Sequence, residues 1–300
     1  MPAETWNLIH VITKLELGGA QLATLHEVEH SRFCSGKRYL LHGPGGLLER
    51  EARALRNVEC IEVPALERPI APRDDALAVS QLRGLFRRLR RQHRDERFLV
   101  HTHSSKAGIL GRWAARAAGI DRIVHSIHGF GHNRHQAPAL RYGLLGAEQA
   151  TAVITDGFTA DSEANIRQAR EEGIAQQTPT RVVRCGIDVP YYATPTGNRA
   201  ALRTALGLPL NHVVVLNLSV LKAQKDPKSF VRVARRVVDQ HPQTTFLLAG
   251  DGELRPRIEM LIASLELDGY VRLLGWRRDV PDLLGASDLL LLTSLWEGLP

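Results

Sequence analysis

A chain of 300 residues exceeds one average core and predicts two domains. Apolar residues at 44% and charged residues at 24% exclude a disordered chain, and no apolar run approaches the roughly 18 residues of a membrane span. Lys plus Arg exceed Asp plus Glu by 39 to 32, and the net charge of +7 suits anionic partners: phosphorylated ligands, anionic lipid or nucleic acid.

Trp6–Ile12 is the first expected strand, and it runs through Gly18-Gly19 into a helix with apolar Leu22, Leu25 and Val28. Glycines in that position let the backbone approach an anion at a helix N-terminus, whose free N–H groups carry partial positive charge. The bland alternative is a tight strand-to-helix turn. The stretch is not the G-x-G-x-x-G dinucleotide fingerprint. Strands follow at Arg38–His42 and 58–63, separated by a short helix over 47–55, and a Pro/Arg-rich loop covers 64–73. Over 81–94, Leu82, Leu85, Phe86 and Leu89 keep a helical spacing, while Arg83, Arg87, Arg88, Arg90, Arg91 and Arg94 take the other face. Such a helix either lies on an anionic membrane or packs its leucines on a sheet with the arginines in water.

The next strand, 98–103, points His101 and His103 to one face, because side chains alternate along a strand. Ser104 or Ser105 is expected to cap the helix over 110–118. Arg122–Ile127 is a further strand, ending at His128-Gly129-Phe130. Six of the 13 histidines (101, 103, 125, 128, 132 and 135) fall in this region. No pair among them has the spacing of a helical metal site and no Cys or acid joins them, so no metal is expected. At strand carboxyl ends they read as acid/base or hydrogen-bonding groups. A helix over 140–147 and a strand over 152–155 come next, and Thr159 or Ser162 caps another helix. After Cys185-Gly186-Ile187-Asp188 the pattern loosens through Pro190, Pro195 and Gly197, which divides residues 1–190 from 191–300. The three cysteines (34, 60 and 185) fit neither a disulfide framework nor a metal spacing, and no leader peptide opens the chain, so the cytosol is the expected compartment.

The second half restarts the alternation. Val213–Leu218 is a strand, followed by Lys222 and Lys225, a helix over 230–239, a strand over 245–249 and Gly250-Asp251-Gly252. A helix over 254–265, a strand over 271–274 and a short helix over 279–284 lead to the leucine run 289–292. That run reads as a strand buried on both faces of a parallel sheet, with Glu297, Gly298 and Leu299 just after it. The expected fold class is α/β: two Rossmann-like domains with parallel sheets. Ligands collect outside the carboxyl ends of such strands, so the lysines, the Gly-Asp-Gly turn and Glu297 are expected to line one crevice.

In this order, Leu17-Gly18-Gly19-Ala20-Gln21, His103-Ser104-Ser105-Lys106-Ala107-Gly108, His125-Ser126-Ile127-His128-Gly129-Phe130 and Cys185-Gly186-Ile187-Asp188 resemble the first half of a known family. Lys222-Ala223-Gln224-Lys225-Asp226, Gly250-Asp251-Gly252-Glu253-Leu254 and Glu297-Gly298-Leu299-Pro300 resemble its second half. The family is family 4 of the retaining, nucleotide-sugar-dependent glycosyltransferases, of GT-B architecture. The resemblance implies two Rossmann-like domains facing across a cleft, the first for the acceptor and the second for the sugar donor. It implies that His128 lies near the transferred sugar, that Lys225 holds the donor diphosphate, with Lys222 beside it, and that Glu297 contacts sugar hydroxyls. Gly18 and Gly19, the turn Gly250-Asp251-Gly252, and the backbone of Gly298 and Leu299 would complete the donor site. No metal or other cofactor is implied, and the acceptor would be a glycan or lipid-linked. The Arg face of 83–94 then suggests peripheral contact with an anionic membrane, on its cytoplasmic side.

Two departures stand out. The family places an arginine where this chain has Val220, and Lys222 cannot reproduce its bidentate contact. The family's second glutamate, eight positions after Glu297, and its closing helices would lie past Pro300, so the donor domain is expected to be incomplete and the activity of the chain as it stands open. The alternatives are a nucleotide-sugar 2-epimerase of the same fold and a basic nucleic-acid-binding protein. The first needs acids placed for proton transfer at the sugar. The second needs interleaved aromatics, and only 5% of residues are aromatic, so no nucleic acid is expected.

Overall fold

A computed structural model describes residues 4–299. By contact it divides into two compact units, one built on residues 4–186 together with Gly298 and Leu299, and the other on Ile187–Glu297. The first alternates β1 (Trp6–Ile12), α1 (Gly19–His30), β2 (Arg38–His42), α2 (Glu49–Arg53), β3 (Val58–Glu62), α3 (Pro72–Gln92), β4 (Arg97–His103), α4 (Ser105–Ala118), β5 (Arg122–Ile127), α5 (Pro138–Ala152), β6 (Gly157–Ala160), α6 (Glu163–Glu171) and β7 (Thr180–Val182). Its seven strands pair in the order β3-β2-β1-β4-β5-β6-β7, all parallel. The chain order reverses its direction at β1, so the carboxyl ends of β1 and β4 form the switch point where such sheets place ligands.

The core explains why. Ile9, Val11, Val100 and Phe98 carry apolar side chains on the face that α3 and α4 cover with Leu82, Phe86, Ala114 and Ala115, all fully buried. The basic helix is longer than 81–94 because Pro72 supplies a preset φ at its first turn. Its leucine face is consumed by this packing, with Leu82, Phe86 and Leu89 buried and the arginines exposed. Arg87 and Arg90 donate to the carbonyls of Ala117 and Ala118, closing the C-terminus of α4.

Three local expectations are corrected. Residues 152–155 are not a strand: α5 runs to Ala152, and the strand is Gly157–Ala160. Apolar Val153 and Ile154 suggest a strand, but Thr155 Oγ1 and the Thr151 carbonyl bond as in a helix end. Ser104 sits at the N-cap position of α4 without capping it. Its φ of +63° turns the chain sharply, and its Oγ meets Thr13 Oγ1 at 2.9 Å instead.

The second unit contains α7 (Val189–Tyr192), α8 (Arg199–Ala205), β8 (Val213–Leu218), a 3₁₀ turn (Ala223–Lys225), α9 (Pro227–Val238), β9 (Thr244–Ala249), α10 (Arg255–Ser264), β10 (Val271–Gly275), α11 (Val280–Ala286) and β11 (Leu289–Leu290). The sheet order is β10-β9-β8-β11, again all parallel. The third correction falls here. The leucine run gives only a two-residue strand, and Leu289 and Leu290 are 59% and 52% exposed. It pairs with β8 alone, and no described element covers its outer side. Its position is held by polar contacts: Asp288 accepts from the Val214 N–H at 2.8 Å and from Arg203 at 2.6 Å, and it pairs with Arg199.

Candidate functional site

In the second unit, the expected residues gather at the carboxyl ends of β8, β9 and β11. Gly250 has φ +139°, and a side chain there would meet the Ser219 carbonyl at 2.0 Å. Gly252, at φ +158°, would meet the Leu221 carbonyl at 2.7 Å. Only glycine lets these two loops nest. The Leu221 N–H donates to the Asp251 carbonyl, and the Leu254 N–H donates to the Leu221 carbonyl. Asp251 itself is committed locally, to the Gly252 N–H at 2.7 Å and to Arg255 at 2.9 Å. Both contacts hold the turn in shape.

The loop after β8 is tied equally closely to the one after β11. The Leu295 N–H donates to the Gln224 carbonyl, and Gln224 Nε2 donates to the Trp296 carbonyl at 3.0 Å. Thr293 Oγ1 donates to the carbonyls of Lys225 and Asp226. These bonds bring Lys225 Nζ within 2.5 Å of Glu297 Oε1, with both side chains about four-fifths buried. A cation and a carboxylate 72 residues apart are thus fixed at one strand end. Asp226, at φ +40°, turns the chain into α9 and caps it through Ser229. Lys222 ends the turn at Val220, its N–H donating to the Val220 carbonyl at 2.8 Å. Gly298 and Leu299 follow Glu297 directly, and Leu299 is 41% exposed. Pro300, part of the same motif, lies outside the described residues.

In the first unit, Gly18 is the extended residue before α1 and Gly19 opens the helix. A side chain on Gly19 would meet nothing, whereas one on Gly18 would strike Gln21 Oε1 at 2.7 Å. His128 follows β5 and is joined to a chain of side chains across the sheet. His10 Nδ1 lies 2.7 Å from His103 Nε2, His103 Nδ1 lies 3.0 Å from His128 Nε2, and His128 Nδ1 lies 3.1 Å from both oxygens of Asp161. The parallel register sets this up: His10 is the Cα partner of His101 on β4, and His103 lies two residues on, facing the same way.

An ionised carboxylate can only accept, which orders the protons. Asp161 requires a proton on His128 Nδ1. Burial pushes His10 and His103 well below the ordinary imidazole range, reinforced by neighbouring histidines, so each carries a single ring proton. His103 faces His128 with Nδ1 and His10 with Nε2, donating to one and accepting from the other. Burial also pushes His101 down to about 3. Both ring nitrogens of His128 therefore already have protein partners. The same carboxylate accepts from Cys185 Sγ at 3.5 Å. Burial, with Asp161 alongside, pushes that thiol up to about 12.

Asp161 and His10 are not legible as site residues from sequence. Asp161 is one acid among 32, and His10 looks like an interruption of an apolar strand. Glu27 carried a signal: His26-Glu27-Val28-Glu29-His30 has the H-E-x-x-H spacing of a helical zinc site. Here His26 and His30 stack at 4.3 Å, both exposed, while Glu27 turns inward toward His101 and His103. Burial raises the Glu27 carboxyl above its usual range; His128 opposes the shift and Asp161 adds to it.

Two parallel α/β units with their polar residues at strand carboxyl ends define a tandem Rossmann-like protein. Residues 38–190 match the family model described as Glycosyltransferase Family 4, and residues 198–300 the model described as Glycosyl transferases group 1. The chain belongs to glycosyltransferase family 4. It is 33% identical over 248 residues to an Escherichia coli UDP-Gal:alpha-D-GlcNAc-diphosphoundecaprenol alpha-1,3-galactosyltransferase, covering 81% of this chain and 62% of that protein. It is 26% identical over 215 residues to the D-inositol 3-phosphate glycosyltransferase of Kineococcus radiotolerans, covering 65% of this chain and 48% of the relative. The chain thus spans about half to three-fifths of the length of these relatives. Among solved structures, Anabaena Alr3699/HepE in complex with UDP and glucose shares the fold, with TM-score 0.73 at 21% identity over 97% of this chain and 75% of that one.

Proposed function

We propose that the protein to which this chain belongs is a glycosyltransferase that moves a sugar from a nucleotide-sugar donor to a lipid-linked acceptor, with retention of configuration. The observation that carries the reading is the Lys225–Glu297 pair, held at 2.5 Å by crossed hydrogen bonds from Gln224 Nε2 and Thr293 Oγ1 to carbonyls of the facing strand-end loop. A fixed ammonium beside a fixed carboxylate suits a ligand with an anionic and a polyol end: Lys225 takes the diphosphate and Glu297 the sugar hydroxyls. Lys222 adds a second charge in the same loop. The nested turn around Gly250, Asp251 and Gly252 shapes the base of the site, and the N–H groups of Gly298 and Leu299 reach for phosphate. Gly18 and Gly19 approach the diphosphate at the N-terminus of α1. The leaving group is neutralised by these protein groups without a metal.

His128 holds the sugar in place. With its ring nitrogens engaged by His103 and Asp161, it acts as an oriented ring and backbone rather than as a free acid or base. A uridine diphosphate donor and a polyprenyl-diphosphate acceptor follow the printed activity of the Escherichia coli relative, and UDP binding by HepE supports the same class of donor. The arginine face of α3 serves peripheral contact with anionic lipid on the cytoplasmic side. No described helix is long and apolar enough to cross a membrane.

The test uses the full-length protein with a panel of nucleotide sugars and a polyprenyl-diphosphate-linked acceptor, reading released nucleoside diphosphate. Lys225→Ala is expected to lower turnover by about 10²–10³-fold, as lost transition-state donors do. Turnover within about twofold of the parent would remove Lys225 from the site. Product anomeric configuration, read by NMR, decides retention.

A further inference from the structure

We infer that the first unit carries a binding site for one zinc-like divalent cation, formed by His10, Glu27, His101 and His103. One donor atom from each of the four lies within 4.8 Å of all the others. Three strand residues and one helix residue supply them: the sheet register sets His10 beside His101, His103 follows on the same face, and Glu27 comes from α1.

Hydrogen bonding alone accounts for only part of this cluster. The line from His10 through His103 to His128 and Asp161 uses its ring nitrogens, but it leaves out one side. Glu27 Oε2 stands 3.9 Å from His101 Nδ1 and 4.0 Å from His103 Nε2, too far for hydrogen bonds. Both Glu27 and His101 line the wall of a cavity of about 410 Å³. Two ligands each about 2.1 Å from a tetrahedral zinc lie roughly 3.4 Å apart. The observed separations, 2.7 Å for His10–His103 and 3.9–4.0 Å for the Glu27 contacts, fall on either side of that value. Shifts of less than about 1 Å would bring all four donors onto one ion, replacing the His10–His103 hydrogen bond by two metal bonds.

The supporting contacts are of the kind that metal-bound histidines make. His101 turns its other nitrogen to Ser126 Oγ at 2.7 Å, and that hydroxyl is held by Thr159 Oγ1 at 2.6 Å. His103 turns its other nitrogen to His128, which is backed by Asp161. Such partners fix the ring and the tautomer of the ligand. A cation on His103 Nε2 requires the proton on Nδ1, which then donates to His128 Nε2. The metal would thus lock His128, a residue of the proposed transfer site, without touching it. The ligand set itself does not depend on the glycosyltransferase reading.

The test is zinc uptake by the full-length, untagged protein after chelator treatment and buffer exchange, measured by elemental analysis and by titration calorimetry. Roughly one equivalent is expected, with a higher thermal midpoint in the presence of Zn²⁺ than of Mg²⁺. Glu27→Gln and His101→Ala are expected to weaken binding by at least about 10-fold each. His26→Ala/His30→Ala, on the exposed side of α1, is expected to leave it unchanged. Circular dichroism checks that each variant is folded, and Glu27→Gln is the conservative case should His101→Ala fail to fold. Uptake at background level in the parent protein would overturn the inference, as would loss of uptake in the His26/His30 variant alone. Donor binding by Lys225 is read separately, so either proposal can fail without the other.

Discussion

His125 shows how a single ring can set a local sequence requirement. It is buried, its Nδ1 is 2.9 Å from Thr102 Oγ1, and a side chain on Gly108 would strike its Cε1 at 2.5 Å. Burial, and then the nearby Arg112, hold its pKa well below the ordinary imidazole value. The folded-state value is therefore the depressed one, and the unfolded chain takes up the proton first. The stability contributed by neutral His125 is present above about pH 6.5 and is lost as pH falls below it, at up to about 1.4 kcal/mol per pH unit. Urea midpoints between pH 7 and pH 5 should fall less steeply in His125→Gln than in the parent protein. Equal slopes would mean that His125 is charged in the folded state. Cys185 gives a second residue-level expectation. With a thiol pushed up to about 12, only about one molecule in 10⁴ carries a thiolate at pH 8. Iodoacetamide should label it far more slowly than an unfolded control. Comparable rates would show that Asp161 does not hold it.

At the level of elements, α4 and α5 share one buried ion pair, beside the Trp113 Nε1–H that donates to Thr151 Oγ1 at 3.0 Å. Arg112 is fully buried and donates to Glu148 at 2.6 Å, to Thr155 Oγ1 at 3.1 Å and to the Gly108 carbonyl at 2.9 Å. Its guanidinium also lies over the Phe158 ring at 5.7 Å. Removing Glu148 alone leaves a buried charge unpaired and should cost about 3–5 kcal/mol, whereas the double replacement Arg112→Met/Glu148→Leu should cost far less. Denaturant melts of the two variants test this, and similar losses would locate the stability in packing. Helix α4 carries two arginines, Arg112 and Arg116. Periodicity cannot say that Arg112, alone among them, points inward to meet an acid 36 residues on. The leucine run fails in the opposite way. Hydropathy reports that four leucines prefer burial, but burial needs a covering element, and at β11 there is pairing on one side only.

On the scale of the molecule, charge separates from hydrophobicity. The six arginines of 83–94 stay exposed while the apolar stripe of α3 is spent on the core, so any membrane contact must be electrostatic rather than inserted. Each such charge is worth about 1 kcal/mol near an anionic surface. Replacing Arg83, Arg88 and Arg91 by Gln should lower partitioning onto phosphatidylserine-containing vesicles by about 10²-fold, with little change on neutral ones. Sedimentation at low and physiological salt measures it. Unchanged partitioning would remove these arginines from any membrane contact.

The sequence by itself determined what is local or periodic: the strand and helix alternation, the parallel α/β class, and the loops carrying Gly18, Lys225, the Gly-Asp-Gly turn and Glu297. Glycines and strand ends mark such loops wherever they occur, because backbone sterics are set by neighbouring residues. Tertiary structure alone decided which distant groups meet. The pairing of Lys225 with Glu297, the tethering of β11 through Asp288, and the line from His10 to Asp161 depend on strand register and helix packing. Those are set by the whole core rather than by any stretch of chain.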